Sequence, residues 1–138
     1  GSHKAVAPSV TTVDVPQMYT DAHAHYGEAI ESLREGYKID RNDLINLLNR
    51  DPYLVQEDAG GHAQFSHKFF PFKIGVIAHG TRDIESDKEH WHHYTSLQVY
   101  VDTLGGLRAV KPENRLESWQ KVWGEKESAL DNCKKRNR

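Results

Sequence analysis

The segment Glu89-His90-Trp91-His92-His93 concentrates histidines more densely than any other part of a chain that carries nine of them. On a β-strand, alternate side chains share a side and stand about 6.5 to 7 Å apart, so His90 and His92 there can share one divalent ion. His79, Asp83, Glu85 or Glu89 would supply the third ligand. Histidine also exchanges protons near neutral pH, which gives a second chemistry: general acid and base catalysis of phosphodiester cleavage. Its candidates are His79, His92 and His93, with Thr81 as a hydrogen-bonding partner and Arg82 facing the charge of the transition state. A third reading needs no chemistry, the imidazoles being polar rings at a sheet edge. For binding, Trp91, Tyr94 and Tyr100 supply aromatic surface beside the acidic Asp83 and Glu85.

The rest of the composition narrows the field. Twenty acidic residues nearly balance eighteen basic ones, for a net charge of −2, which disfavours a non-specific nucleic-acid binder. Protonating every histidine would turn that charge positive, so electrostatics should depend on pH. The hydrophobic content of 37% and charged content of 28% are those of a globular domain. No run approaches the roughly 18 to 20 apolar residues of a membrane span, so no membrane partner is expected. The single cysteine, Cys133, excludes an intramolecular disulfide and thiolate metal motifs; it suits the cytoplasm, while a secreted effector stays open. Phosphate-cradling glycine loops, H-E-x-x-H and G-x-S-x-G are absent from the sequence.

Positioning elements are read from periodicity. Gly1-Ser2-His3 has the form of a tag remnant, residues 4–16 of an extended arm or edge strand between two prolines, and residues 17–138 of one domain. Met18, Ala22, Tyr26, Ala29, Ile30, Leu33 and Tyr37 recur at helical spacing, with Gly36 as the stop. Asp40 caps a second helix that ends before Pro52, with Leu44 and Leu48 inward. "QEDAGGH" is expected as a loop. Ala63, Phe65, His67 and Phe69 alternate on one strand, with His67 a core histidine, and Phe72, Ile74, Val76 and Ala78 on the next. The longest alternation, Trp91 to Asp102, predicts a third strand that forms a hairpin with the second across the charged segment 80–89, placing His79 and His90 to His93 at its mouth. Gly105-Gly106 turns the chain. A last helix follows Pro112 with Leu116, Trp119, Val122, Trp123 and Leu130 on its apolar face. The fold class is α+β: two N-terminal helices, an antiparallel sheet of three strands (four if the arm pairs) and a C-terminal helix packed on one face.

Three short strings are similar to known families. "HWHHYT" with "LQVYV" is similar to a variant of the HNH nuclease fingerprint, which implies a further histidine on a following helix; none follows His93. "AHGTR" looks like the His-Gly-Thr strand of some ADP-ribosyltransferases, and "HWH…QVYV" like a cupin metal motif, yet the chain lacks the length or the strands that those folds imply. None carries a family assignment. The reading that leads is a partner- or ligand-binding domain using the histidine- and aromatic-rich segment 79–93, with pH-sensitive affinity. Its alternative is a histidine-dependent hydrolase of the RNase type, a toxin or effector domain for which nucleic acid becomes a partner. No cofactor is expected beyond the divalent metal of the H-x-H reading.

Overall fold

The computed structural model describes residues 12–136, in the order α1 (Val15–Arg34), α2 (Arg41–Asn49), β1 (Leu54–Ala59), β2 (His62–His67), β3 (Lys73–Ile77), α3 (Asp87–Leu107), a 3-10 turn (Pro112–Asn114) and α4 (Arg115–Arg136). The arm expected over residues 4–16 lies outside the described residues up to position 11. Its end is helix rather than strand: Asp14 caps α1 by accepting from the Gln17 amide at 3.0 Å, and Pro16 occupies the first turn, where a missing N–H costs nothing. Of the stripe expected on α1, Met18, Ala22, Tyr26, Ile30 and Leu33 are buried; Tyr37 lies beyond the helix and is 69% exposed. Asp40 caps α2 through the amides of Asn42 and Asp43, as its sequence position suggests.

The sheet is antiparallel in the order β1-β2-β3. "QEDAGGH" is not a loop. Leu54 pairs with His67 and Ala59 with His62, so Gly60-Gly61 is a two-residue hairpin turn with φ of 57° and 86°. Positive φ at both central positions matches the right-handed twist of the flanking strands, and glycine takes it without strain. On β2 and β3, Ala63, Phe65, His67, Ile74 and Val76 alternate inward as expected.

The largest departure is α3. Trp91 to Asp102 is helix, not strand, inside a 21-residue element that also absorbs Gly105 and Gly106. Ser86 accepts from the Glu89 amide at 3.1 Å, which forms one half of a capping box, and Asp87 and Glu89 bring negative charge to the first turn. Buried His90, His93, Tyr94, Leu97, Tyr100, Val101, Leu104 and Leu107 follow at spacings of three and four. Val99 and Thr103 are buried as well, because α3 packs against both α1 and α4 while Tyr100 reaches the sheet. The glycines permit that closeness: a Cβ on Gly106 would stand 2.7 Å from Val122 Cγ1 on α4, and one on Gly105 would stand 2.9 Å from the Tyr19 ring on α1.

Between helices and sheet lies an aromatic core. Phe72 stacks on Tyr100 at 4.4 Å between centroids, and Phe70 on Trp119 at 4.7 Å. On α4, Trp119 and Val122 are buried and Trp123 and Leu130 partly so, whereas Leu116, expected inward, is 51% exposed. Arg115 instead turns inward, donating from Nε to the carbonyls of Leu107 and Val110 at 3.1 Å each, and so closes the end of α3. Among the described residues no helix is long and apolar enough to cross a membrane.

Candidate functional site

The segment expected to carry function joins β3 to α3, and it is fastened from beneath. Arg41, at the first turn of α2, donates its backbone N–H to the Arg82 carbonyl at 2.7 Å and its Nη1 to the Thr81 carbonyl at 2.8 Å. Its Nε and Nη2 reach the two oxygens of Glu89 at 2.8 Å each. This fork is nearly covered, with side-chain exposures of 5% for Arg41 and 12% for Glu89. The guanidinium holds the Glu89 carboxyl below its usual range, chiefly through these hydrogen bonds. Thr81 Oγ1 adds bonds to the Asp83 carbonyl and Glu85 Oε1 at 3.1 Å each, and Ile84 is buried. The connection is thus ordered by a buried cation and an apolar anchor, while Arg82, Asp83, Glu85 and Lys88 stay exposed.

The histidines do not converge. The hairpin that would have gathered them is absent, because the segment from His90 onward is α3. His79 is exposed and packs against Gly61 and His62 at the β1-β2 turn, its ring 6.1 Å from that of His62. His90 is 2% exposed and donates from Nε2 to the Leu33 carbonyl at 3.0 Å, tying α3 to the end of α1. His92 is exposed and touches His93, ring to ring, at 5.7 Å. His93 is 2% exposed, 3.8 Å from Glu89, and burial lowers its pKa to about 4. On a helix, positions two apart point about 200° apart, so His90 and His92 diverge where a strand would have aligned them. Among the described residues no three His, Cys, Asp or Glu side chains stand close enough to hold one ion. Of the aromatic candidates, Trp91 is 40% exposed and packs edge-on against buried Tyr94, whose hydroxyl accepts from Arg34 Nε at 3.4 Å. Tyr100 belongs to a different part of the molecule.

A second feature lies between α1 and the turn from α2 to β1. A cleft of about 460 Å³ is walled by Met18, Ala22, Ala24, Pro52, Tyr53 and Tyr100, with Asp51 inside and Asp21, His25 and Arg50 around it. Asp51 is buried; it accepts from the Tyr26 hydroxyl at 2.6 Å and the Tyr53 amide at 2.9 Å. His25 donates from Nε2 to the Leu47 carbonyl at 2.7 Å, joining α1 to α2. Behind the cleft, His67 Nδ1 accepts from the amides of Phe69 and Phe70, which leaves its proton on a buried Nε2 that has no partner. Burial, with a smaller contribution from Lys68, lowers the His67 pKa to about 4. The Tyr100 hydroxyl is equally buried and unpaired.

Sequence reasoning missed Arg41, Asp51 and Arg115, which are the buried Asp, Glu, Lys and Arg side chains among the described residues. The only local sign was position: Arg41 follows a capping aspartate and Asp51 precedes a proline. In comparisons with family models, curated proteins and solved structures, nothing matches this chain.

Proposed function

We propose that the chain is a small partner-binding domain that docks through the surface of residues 79–93. The observation that carries this reading is the Arg41 fork beneath the segment: one buried side chain holds the Thr81 carbonyl and the Glu89 carboxylate on α3, and the backbone N–H of the same residue holds the Arg82 carbonyl. A loop fixed in that way loses little conformational freedom on association, so its exposed charges can contribute to affinity and specificity. Trp91, in the first turns of α3 and 40% exposed, supplies an aromatic anchor of the kind that dominates interfaces.

Shape favours a protein over a small ligand at this surface. Three surface clefts are formed by other residues: the one around Asp51, one between α1 and α2 beside Tyr37, and one between α1, α3 and α4 beside Arg108. None of them takes a residue from 79–93. The pH-sensitive affinity expected from four clustered histidines becomes smaller in scope, because His90 and His93 are buried and only His79 and His92 face outward. The test is to alter Trp91 and Arg82, both exposed, and compare partner capture with the wild type and with a variant altered on α4.

A further inference from the structure

We propose that β3 pairs edge to edge with the β3 of a second copy of this chain, antiparallel and centred on Gly75. This edge lies outside the surface of residues 79–93. β3 forms one side of the sheet, and its alternation shows which backbone groups are left over. The His67 amide bonds the Phe72 carbonyl and the Ala78 amide bonds the Gly61 carbonyl, so Ile74 and Val76, which share their phase, turn to β2. Lys73, Gly75 and Ile77 turn their amides and carbonyls outward, and among the described residues nothing bonds them. Lys73 and Gly75 are exposed, and the exposed surface of a glycine is backbone.

Two observations say what covers this edge. Gly75 has no reason to be glycine within one chain: its φ is not positive, the β2-β3 register runs without a bulge, and a Cβ there would meet nothing within 4 Å. A strand glycine without those reasons marks the close approach of another backbone. The second observation is symmetry. Outward residues centred on Gly75 complement themselves: about a two-fold axis Gly75 faces Gly75 and Lys73 faces Ile77 in both directions, and each facing pair exchanges two hydrogen bonds. The two lysines stand at opposite ends, each turned toward the end of the other strand from which the exposed Asp83 and Glu85 follow. β1 is the poorer edge, because its Leu54 amide already bonds the Asp51 carbonyl, and exposed Glu57 and Asp58 would be repeated across such an axis. Strands of five residues bury less than the roughly 1,200 to 2,000 Å² of a stable interface, so the dimer forms and dissociates with concentration.

The experiment is sedimentation velocity of the full chain over a wide concentration range, with amide exchange followed by NMR at both ends of that range. The wild type is expected to shift from monomer to dimer. The amides of Lys73, Gly75 and Ile77 should gain protection in step, while those of Ile74 and Val76 stay protected throughout. G75P removes the outward N–H at the axis and keeps every bond to β2, a position where an edge strand accepts proline. G75E adds a side chain in open space and sets two carboxylates opposite each other across the axis. Each should weaken dimerisation about tenfold or more, and either is informative if the other fails to fold. A monomer at every concentration, a dimer that neither variant weakens, or protection gained away from the three outward amides would overturn the proposal. So would oligomers that grow past the dimer, which would make β1 the facing edge.

Discussion

Arg41 and Glu89, 48 positions apart, meet in a two-armed ion pair with both contacts at 2.8 Å, and the same guanidinium holds the Thr81 carbonyl. One side chain therefore joins the start of α2, the start of α3 and the exposed loop between β3 and α3. Such a pair contributes less through net attraction than through the cost of leaving either member alone, since a lone buried charge has lost its hydration without compensation.

R41M and E89Q should each destabilise the fold by roughly 2 to 3 kcal/mol, toward the low side for a covered pair because Glu89 keeps slight solvent access. The combined substitution R41M/E89L should recover part of that loss. Urea denaturation measures both effects. Limited trypsin digestion reports on the loop, since Arg82 is exposed within it: cleavage there should accelerate in R41M at a protein concentration where the rest of the chain stays intact. Equal digestion rates would mean that the pair does not order the loop.

The glycines of α3 and α4 separate packing from helix propensity. Gly124 has nothing within 4 Å of the position a Cβ would take, so G124A should stabilise by about 0.5 to 1 kcal/mol. At Gly106 the same gain meets a contact of 2.7 Å with Val122 Cγ1, a buried and β-branched neighbour that cannot swing aside. G106A should therefore be net destabilising by about 1 kcal/mol. Thermal unfolding of the two variants, moving in opposite directions, checks the close approach of α3 and α4.

His67 and His93 both have a folded pKa of about 4, lowered from 6.5 mainly by burial. The unfolded chain then binds more protons than the folded one between those values. Stability is complete above pH 6.5 and falls as pH drops toward 4, by at most about 3 kcal/mol for each histidine. Glu89 works in the same direction at lower pH, because its lowered carboxyl contributes stability that is lost as pH falls through its folded value. H93L removes one of the titrating groups and leaves no polar atom orphaned, since both His93 nitrogens lack a hydrogen bond. Its urea midpoint should change little at pH 7, and should fall less than that of the wild type between pH 7 and 5. A parallel fall in both proteins would place the acid sensitivity elsewhere.

How much of this was legible in the sequence depends on the range of the interactions that decide each element. α1, α2, β2, β3 and α4 carry one unambiguous period each, with Asp40 and Pro112 marking their starts, so local patterning was enough. α3 carries two periods at once. Trp91, His93, Thr95, Leu97, Val99 and Val101 alternate as a strand does, because a helix buried on several sides has apolar and β-branched residues almost all round. The discriminating signs were its length, which exceeds an ordinary strand, and Ser86-x-x-Glu89 ahead of the apolar run. β1 was hidden for the opposite reason: Val55, Gln56, Glu57 and Asp58 are exposed, so no buried face writes a period into them, and only Gly60-Gly61 marks the hairpin. The candidate site followed the fate of α3. Trp91, Arg82, Asp83 and Glu85 are on the surface where the sequence suggested, while His90, His93, Tyr94 and Tyr100 turned inward with the helix. Arg41 and Asp51 could not be singled out, because their partners lie on other elements.

The docking role of residues 79–93 is tested most directly by quantitative capture of binding proteins on three immobilised, folded forms: wild type, W91A/R82E, and L116A/K121E as the control on exposed α4 positions. The account predicts a protein that wild type and the α4 control retain alike and that W91A/R82E loses by about tenfold or more, as expected for removal of an aromatic anchor with reversal of a nearby charge. Retention of every specific partner by W91A/R82E, or the absence of any protein whose capture depends on those positions, would contradict it.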